Sequence, residues 1–299
     1  MKTIVVATDL SLPASHALNK AFRLAEITGA QLHVIHVLHD FSQHSMYESL
    51  GASAMSVYQR IREASQADLD DALAREAEGY IPPVLAEVLD GRPDVEILAY
   101  VDRVRADLLV IGAQGMGFVR ELVLGSVATR LLRRSPVPVL LVKPDTPKQY
   151  QRALVAVDFS PASLALLAQV RQLAPVADVA LTHVVELPYE QYMREAGVAV
   201  SEIAKLKADQ CEQAKGKLQA LLDKSGLAAA RSATHVLTGF PLQELEQLTQ
   251  EQGAQLVALG KHGRHFLEEL LVGSVTRKLA ARLPADVLVV THGELPGMN

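Results

Sequence analysis

The chain has 299 residues, enough for two domains of ordinary size. Hydrophobic residues make up 49% and charged residues 21%, which excludes disorder as the main state. A net charge of −5, 4% aromatics and no Trp argue against a nucleic-acid partner, which calls for a basic footprint and stacking rings.

Residues 3–8 are a β-rich run without alternation, the pattern of a strand buried on both faces. Residues 14–28 follow with Leu18, Ala21, Phe22 and Ala25 at helical spacing. A second apolar run covers 32–38. A long charged helix over 56–79 then carries Val57, Ile61, Leu69 and Leu73 as its candidate buried stripe. Strands over 84–89, 107–111 and 138–142 alternate with helices over 94–104 and 126–134. The polar, Pro-bearing stretch 143–151 reads as a linker. Beyond it the order recurs, with a long helix over 203–225 and a last strand over 286–290. Cys211 lies in that long helix and is the one cysteine, so no intrachain disulfide and no cysteine zinc cage can form. A thiol-poor chain fits the cytoplasm. The opening Met-Lys-Thr-Ile-Val-Val-Ala-Thr-Asp is too brief for a signal core, and no run approaches a membrane span. A soluble protein with no membrane partner is expected.

The recurrence is an internal repeat. Asp9 and Asp158 close matching first strands, IVVATD and LVAVD. VIHV at 34–37 matches LTHV at 181–184, and VLDGRP at 88–93 matches VLTGFP at 236–241. GAQGMGFVRELVLGSV from Gly112 matches GKHGRHFLEELLVGSV from Gly260, and PVLLV at 138–142 matches DVLVV at 286–290. The offsets stay between 147 and 149 residues, closer than chance allows. The expected domains are 1–143 and 152–292, with 144–151 as linker and 293–299 as tail.

Strand alternating with helix predicts an α/β fold of two doubly wound domains. Each is a five-stranded parallel sheet, order 3-2-1-4-5, with helices on both faces. The apolar runs 138–142 and 286–290 would lie at sheet edges, where bare strands invite pairing. With the family resemblance given below, these edges are expected side by side and antiparallel, the domains being related by a pseudo-two-fold axis. That makes an intrachain pseudo-dimer and leaves a further homodimer open.

Ligands of such sheets sit at the carboxyl ends of strands. There each copy carries Gly-x2-Gly-x9-Gly-Ser: Gly112, Gly115, Gly125 and Ser126, then Gly260, Gly263, Gly273 and Ser274. Glycine allows positive φ and a close approach to bare backbone. Ser126 and Ser274 are candidate N-caps, at a point where free N–H groups and the helix dipole favour an anion. No nucleotide-binding Gly-x4-Gly-Lys-Ser/Thr loop, Gly-x-Gly-x-x-Gly fingerprint or Gly-x-Ser-x-Gly elbow occurs. The bland alternatives are tight structural turns for the glycines and helix or turn caps for Asp9 and Asp158. His33, His36 and His39 fall on alternate faces of a strand, so no metal site is expected from them. His36 and His183 read as satisfied residues near the cleft. Arg130, Arg133 and Arg134 read as a solvated helix end.

The double motif, the strand-terminal Asp9 and Asp158, and His-Val closing the second strands resemble the universal stress protein family, in a tandem arrangement. The resemblance covers both copies and implies a stress-response protein that binds ATP or a related adenine nucleotide. It implies that Asp9 and Asp158 meet adenosine and that Val37 and Val184 form an adenine wall. It implies that Gly112, Gly115, Gly260 and Gly263 meet ribose and phosphates. Gly125, Ser126 and Val127 would hold the phosphates, as would Gly273, Ser274, Val275 and Thr276. Copy two has Thr276 for Ala128 and Lys261, His262 and Arg264 for Ala113, Gln114 and Met116, so its anion end is richer. The expected ligand is ATP, with Mg2+ as an optional companion. No acid pair repeats beside the loop, so no catalytic residue is assigned. A slow ATP hydrolase and an adaptor with degenerate sites are the alternatives.

Overall fold

The computed structural model describes residues 1–38, 54–77, 84–113, 124–144, 146–261 and 272–290. Two compact units emerge. One takes Met1–Gln149 with the segment from Ala280 through the last strand, and the other takes Tyr150–Leu279.

In the first unit, β1 (Thr3–Thr8) holds Ile4, Val5 and Val6 fully buried, as both-face burial requires. Helix α1 (Leu12–Thr28) starts where Ser11 accepts the Ala14 N–H and stops at Gly29, whose φ of 68° ends the helix. β2 (Gln31–Leu38), α2 (Ala54–Glu76), β3 (Val84–Asp90), α3 (Pro93–Arg103), β4 (Leu108–Gly112), α4 (Ser126–Arg134) and β5 (Val139–Val142) follow. The strands run parallel in the order β3-β2-β1-β4-β5, which is 3-2-1-4-5. Helices α1 and α2 contact each other, and α3 and α4 form a second pair. Along α2 the buried residues are Tyr58, Leu69 and Ala72, while Val57 and Ile61 pack against Tyr58 half-buried.

The second repeat has β6 (Arg152–Ala156), α5 (Ala162–Leu173), β7 (Asp178–Val185), α6 (Glu190–Glu195) and α7 (Val200–Ser225). β8 (Ser232–Thr238), α8 (Pro241–Gln252), β9 (Leu256–Gly260), α9 (Ser274–Arg282) and β10 (Asp286–Val290) complete it. Its parallel strands β8-β7-β6-β9 repeat the order of the first four strands of the first copy. The short helix α6 has no counterpart among the expected elements.

β10 pairs antiparallel with β5 inside the first unit, Leu288 opposite Leu140 and Val287 opposite Leu141, as the edge argument predicts. A buried charge cluster fixes it. Asp286 is wholly buried, accepts the Lys143 backbone N–H at 2.8 Å and faces Lys20 Nζ at 3.4 Å. Lys143 is itself buried, and its ammonium donates to the Ala281 carbonyl at 3.1 Å. Burial pushes the Lys143 amine down to about 8 and lowers Lys20 as well, with Asp286 opposing both shifts. The stretch 143–151 is therefore not uniformly solvated: Lys143 and Tyr150 are both buried.

Candidate functional site

In the first unit a cavity of about 210 Å³ opens at the carboxyl ends of the strands. Asp9, Val37, Gly112, Gly125, Ser126 and Val127 all line it, although they come from four separate stretches of chain. Gly115 lies outside the described residues, as does Gly263 of the second copy. Ile35, Ile97 and Ile111 add an apolar wall, and Pro93 opens α3 beside it. Sequence patterning places the three isoleucines only within expected strands and a helix. Their period shows burial and not which cavity they meet.

The loop is pinned at its neck. The Gly125 N–H donates to the Ala113 carbonyl at 3.2 Å, and in the second unit the Gly273 N–H donates to the Lys261 carbonyl at 2.9 Å. Gly125, and not Ser126, is the N-cap of α4; it has φ −56° and ψ 152°, and no side chain caps the helix. Ser126 is the first helical residue because the Gly125 carbonyl already accepts the Thr129 N–H at 2.9 Å. The first turn, whose Ser126, Val127 and Ala128 line the cavity, therefore has no capping side chain, an arrangement that suits an anion. α9 also begins at Ser274.

Positive φ is not the glycines' contribution. Gly112, Gly125, Gly260 and Gly273 are absent from the positive-φ residues, so the left-handed freedom of glycine is not used at these four positions. The strained backbone lies instead at Leu10 (φ 62°) and Phe159 (φ 61°), each one residue after the strand-terminal acid. Two non-glycine residues in the left-handed region at equivalent positions mark a constrained turn. Asp9 braces that turn: its Oδ1 accepts the Ser11 N–H at 3.1 Å and the Ser11 hydroxyl at 2.5 Å. Asp158 Oδ1 likewise accepts the Ser160 N–H at 3.0 Å. Asp158 Oδ2, however, is buried with no hydrogen-bond partner among the described residues.

The second unit differs in its fittings. Thr182 occupies the repeat position of Ile35, and its hydroxyl is also buried without a partner among the described residues. Thr276 is buried and donates to the Gly260 carbonyl at 2.9 Å, tying the head of α9 to the end of β9. Val184 and Val275 are half-buried, and Ser274 is exposed. Phe159 lies against the His183 ring, centroids 4.3 Å apart, with Lys217 Nζ 5.5 Å from the Phe159 centroid. His183 Nδ1 lies 2.7 Å from the Val157 carbonyl and His36 Nδ1 lies 2.9 Å from the Thr8 carbonyl. A carbonyl only accepts, so both rings carry their proton on Nδ1 and link neighbouring strand ends.

One other sequence reading changes, and His33 gains a partner. Arg130 and Arg134 are not merely a solvated helix end: they lie 3.3 and 3.5 Å from the carboxylate of Asp94, which is 1% exposed. His33 is buried, its Nδ1 3.0 Å from the Tyr100 hydroxyl; burial lowers its pKa. His39 lies outside the described residues.

The family model described as the universal stress protein family matches residues 1–143 and again 149–291. A universal stress protein of Methanocaldococcus jannaschii is 31% identical over 145 residues, 48% of this chain and 82% of its own. One of Mycobacterium bovis is 31% identical over 196 residues, 61% of each chain. A solved universal stress protein of Archaeoglobus fulgidus superposes with a TM-score of 0.67 at 20% identity, covering 97% of this chain and 98% of that one. That last likeness speaks for the fold.

Proposed function

The chain belongs to the universal stress protein family, a family of stress-response proteins, and from that premise we propose that it binds ATP or a related adenine nucleotide at the loop heads of both repeats. The observation that carries the proposal is the meeting of Asp9, Val37, Gly112, Gly125, Ser126 and Val127 on one cavity beside an uncapped helix start. The apolar wall suits a base, the acid suits a ribose hydroxyl, and the helix head suits phosphates.

The second repeat holds the tighter site. Asp158 Oδ2 and Thr182 Oγ1, buried without a partner among the described residues, are at the repeat positions of Asp9 and Ile35, which line the first cavity. A buried polar atom left unpaired costs about 1–3 kcal/mol, which a nucleotide hydroxyl or amine recovers. No cluster of three or more His, Cys, Asp or Glu among the described residues could hold a cation. Mg2+ would therefore arrive with the triphosphate and keep water among its ligands. The role is regulatory, in the cytoplasm, with nucleotide occupancy as the signal and any turnover below about one per second. No helix among the described residues is long and apolar enough to cross a membrane.

Mass spectrometry of the small molecule released on denaturing the purified chain tests the proposal. An adenine nucleotide at up to two per chain is expected. A chain that releases none, and that takes none up from millimolar ATP, would refute it.

A further inference from the structure

A second cavity, about 310 Å³, lies in the second unit at the opposite end of the strands from the loop heads. Arg152, Asp178 and Ser232, the first residues of β6, β7 and β8, line it. Its floor is Ala153, Ala180 and Ala233. The first unit fills the same place. There His33 and Tyr100 are both buried, Arg103 stacks 4.5 Å above the Tyr100 ring, and Arg103 bonds Glu87 at 2.9 Å. In repeat register, His33 becomes Ala180, Tyr100 becomes Leu248, Arg103 becomes Glu251 and Glu87 becomes His235. Both rings are lost, and of the four counterparts Ala180 and His235 line the cavity.

The charge changes with the volume. Asp107 caps the start of β1 by accepting the Thr3 N–H at 2.9 Å. Its counterpart Gln255 caps β6 by accepting the Gln151 and Arg152 N–H groups at 2.6 and 3.3 Å. A neutral amide thus does the backbone work of a carboxylate. Arg152 stands where the first copy has Thr3, and Arg231 where it has Pro83. Arg231 is held in place by donating to the Val176 carbonyl at 2.7 Å. Against these stand Asp178 for Gln31, Glu251 for Arg103 and Gln151 for Lys2. Of the three, only Asp178 lines the cavity, and it is exposed. The lining therefore gains two guanidinium groups and an imidazole against one carboxylate, and Arg152 and Arg231 are exposed as Asp178 is.

We propose that this cavity binds a small organic carboxylate, its charge between Arg152 and Arg231 and its short apolar body on the alanine floor. Guanidinium groups recognise carboxylates through paired N–H donors, and the volume sits at the lower end of the roughly 300–1,000 Å³ typical of small-molecule pockets. The site is independent of the nucleotide loops, so ligands at the two places report separately.

The probe is sodium benzoate, titrated into the full chain and followed by backbone amide NMR, with benzamide as the uncharged isostere. Saturable shifts are expected at 152–153, 178–180 and 231–235, unchanged by excess ATP and absent with benzamide. Arg152→Gln with Arg231→Gln should weaken benzoate by about tenfold or more. Ala180→His with Leu248→Tyr, which restores the filling of the first unit, should abolish the shifts. Should the refilled variant not fold, the arginine pair decides alone. No saturable shift in the wild type, equal shifts with benzamide, or an unchanged affinity in the arginine variant overturns the proposal.

Discussion

In the first unit His33 and Tyr100 close the amino ends of the strands, whereas in the second Ala180, at the repeat position of His33, lines a cavity of about 310 Å³ there. A similar contrast runs through the charged groups. Lys20 of the first copy faces a buried carboxylate, while Gln169 at its repeat position keeps a buried oxygen without a partner among the described residues. Asp94, ringed by Arg92, Arg130 and Arg134, becomes Leu242. What the copies share lies at the loop heads: the Gly125 and Gly273 neck bonds, the histidine links between strand ends, and the left-handed residue after each acid. Two copies of one fold have diverged in what fills them and kept the backbone of the loop heads.

The charge cluster offers the hardest test of that contrast. Asp286→Ala should destabilise the first unit by about 3–5 kcal/mol, because it leaves a buried ammonium without its carboxylate. Adding Lys20→Met should recover much of the loss. Denaturant unfolding measures both, and a loss under about 1 kcal/mol would show that the cluster is not what fixes β10.

Lys143 sharpens it further. Its folded pKa of about 8 lies below the ordinary 10.5, so between these pH values the unfolded chain binds the extra proton. Stability from this group therefore rises with pH across that window, by up to about 3 kcal/mol. Lys143→Met should be the more stable protein at pH 7, with its advantage shrinking toward pH 10.5. A difference that does not change with pH would break the argument.

Tyr100→Leu copies the second unit into the first. It should cost about 1–3 kcal/mol, since it leaves buried His33 without its hydroxyl partner. His33 has a lowered folded pKa, so its contribution is complete above the ordinary 6.5 and is lost as pH falls through the lower value. His33→Ala should thus flatten the acid limb of the unfolding curve. Thr276→Val has the smallest expected effect, about 0.5–1.5 kcal/mol, from the lost bond to the Gly260 carbonyl. Ala128 makes the reverse comparison: Ala128→Thr should not destabilise the first unit if a hydroxyl fits there as it does at Thr276.

Much of this was legible in the chain itself. Helix α4 was placed at both ends, because Gly-Ser opens it and a Pro follows two residues after its last Arg. Two bare apolar edges, read together with the family resemblance, point to the pairing of β5 with β10. What escaped was pairing across distance. Tyr100 is 67 residues from His33, and periodicity carries no information on which ring meets which. Arg130 looked solvated because its partner Asp94 lies on another helix. The glycines were visible, but their backbone angles were not: the strain fell on Leu10 and Phe159, ordinary residues with no sequence mark.

The most direct test of the account is calorimetric titration of ATP into the wild type and into Gly125→Val, Gly273→Val and the double variant. Valine at either position fills the space a phosphate needs beside the helix head. The account predicts two sites in the wild type, loss of the tighter one in Gly273→Val, loss of the weaker one in Gly125→Val, and no binding in the double variant. Unchanged affinity and stoichiometry in the double variant would contradict it.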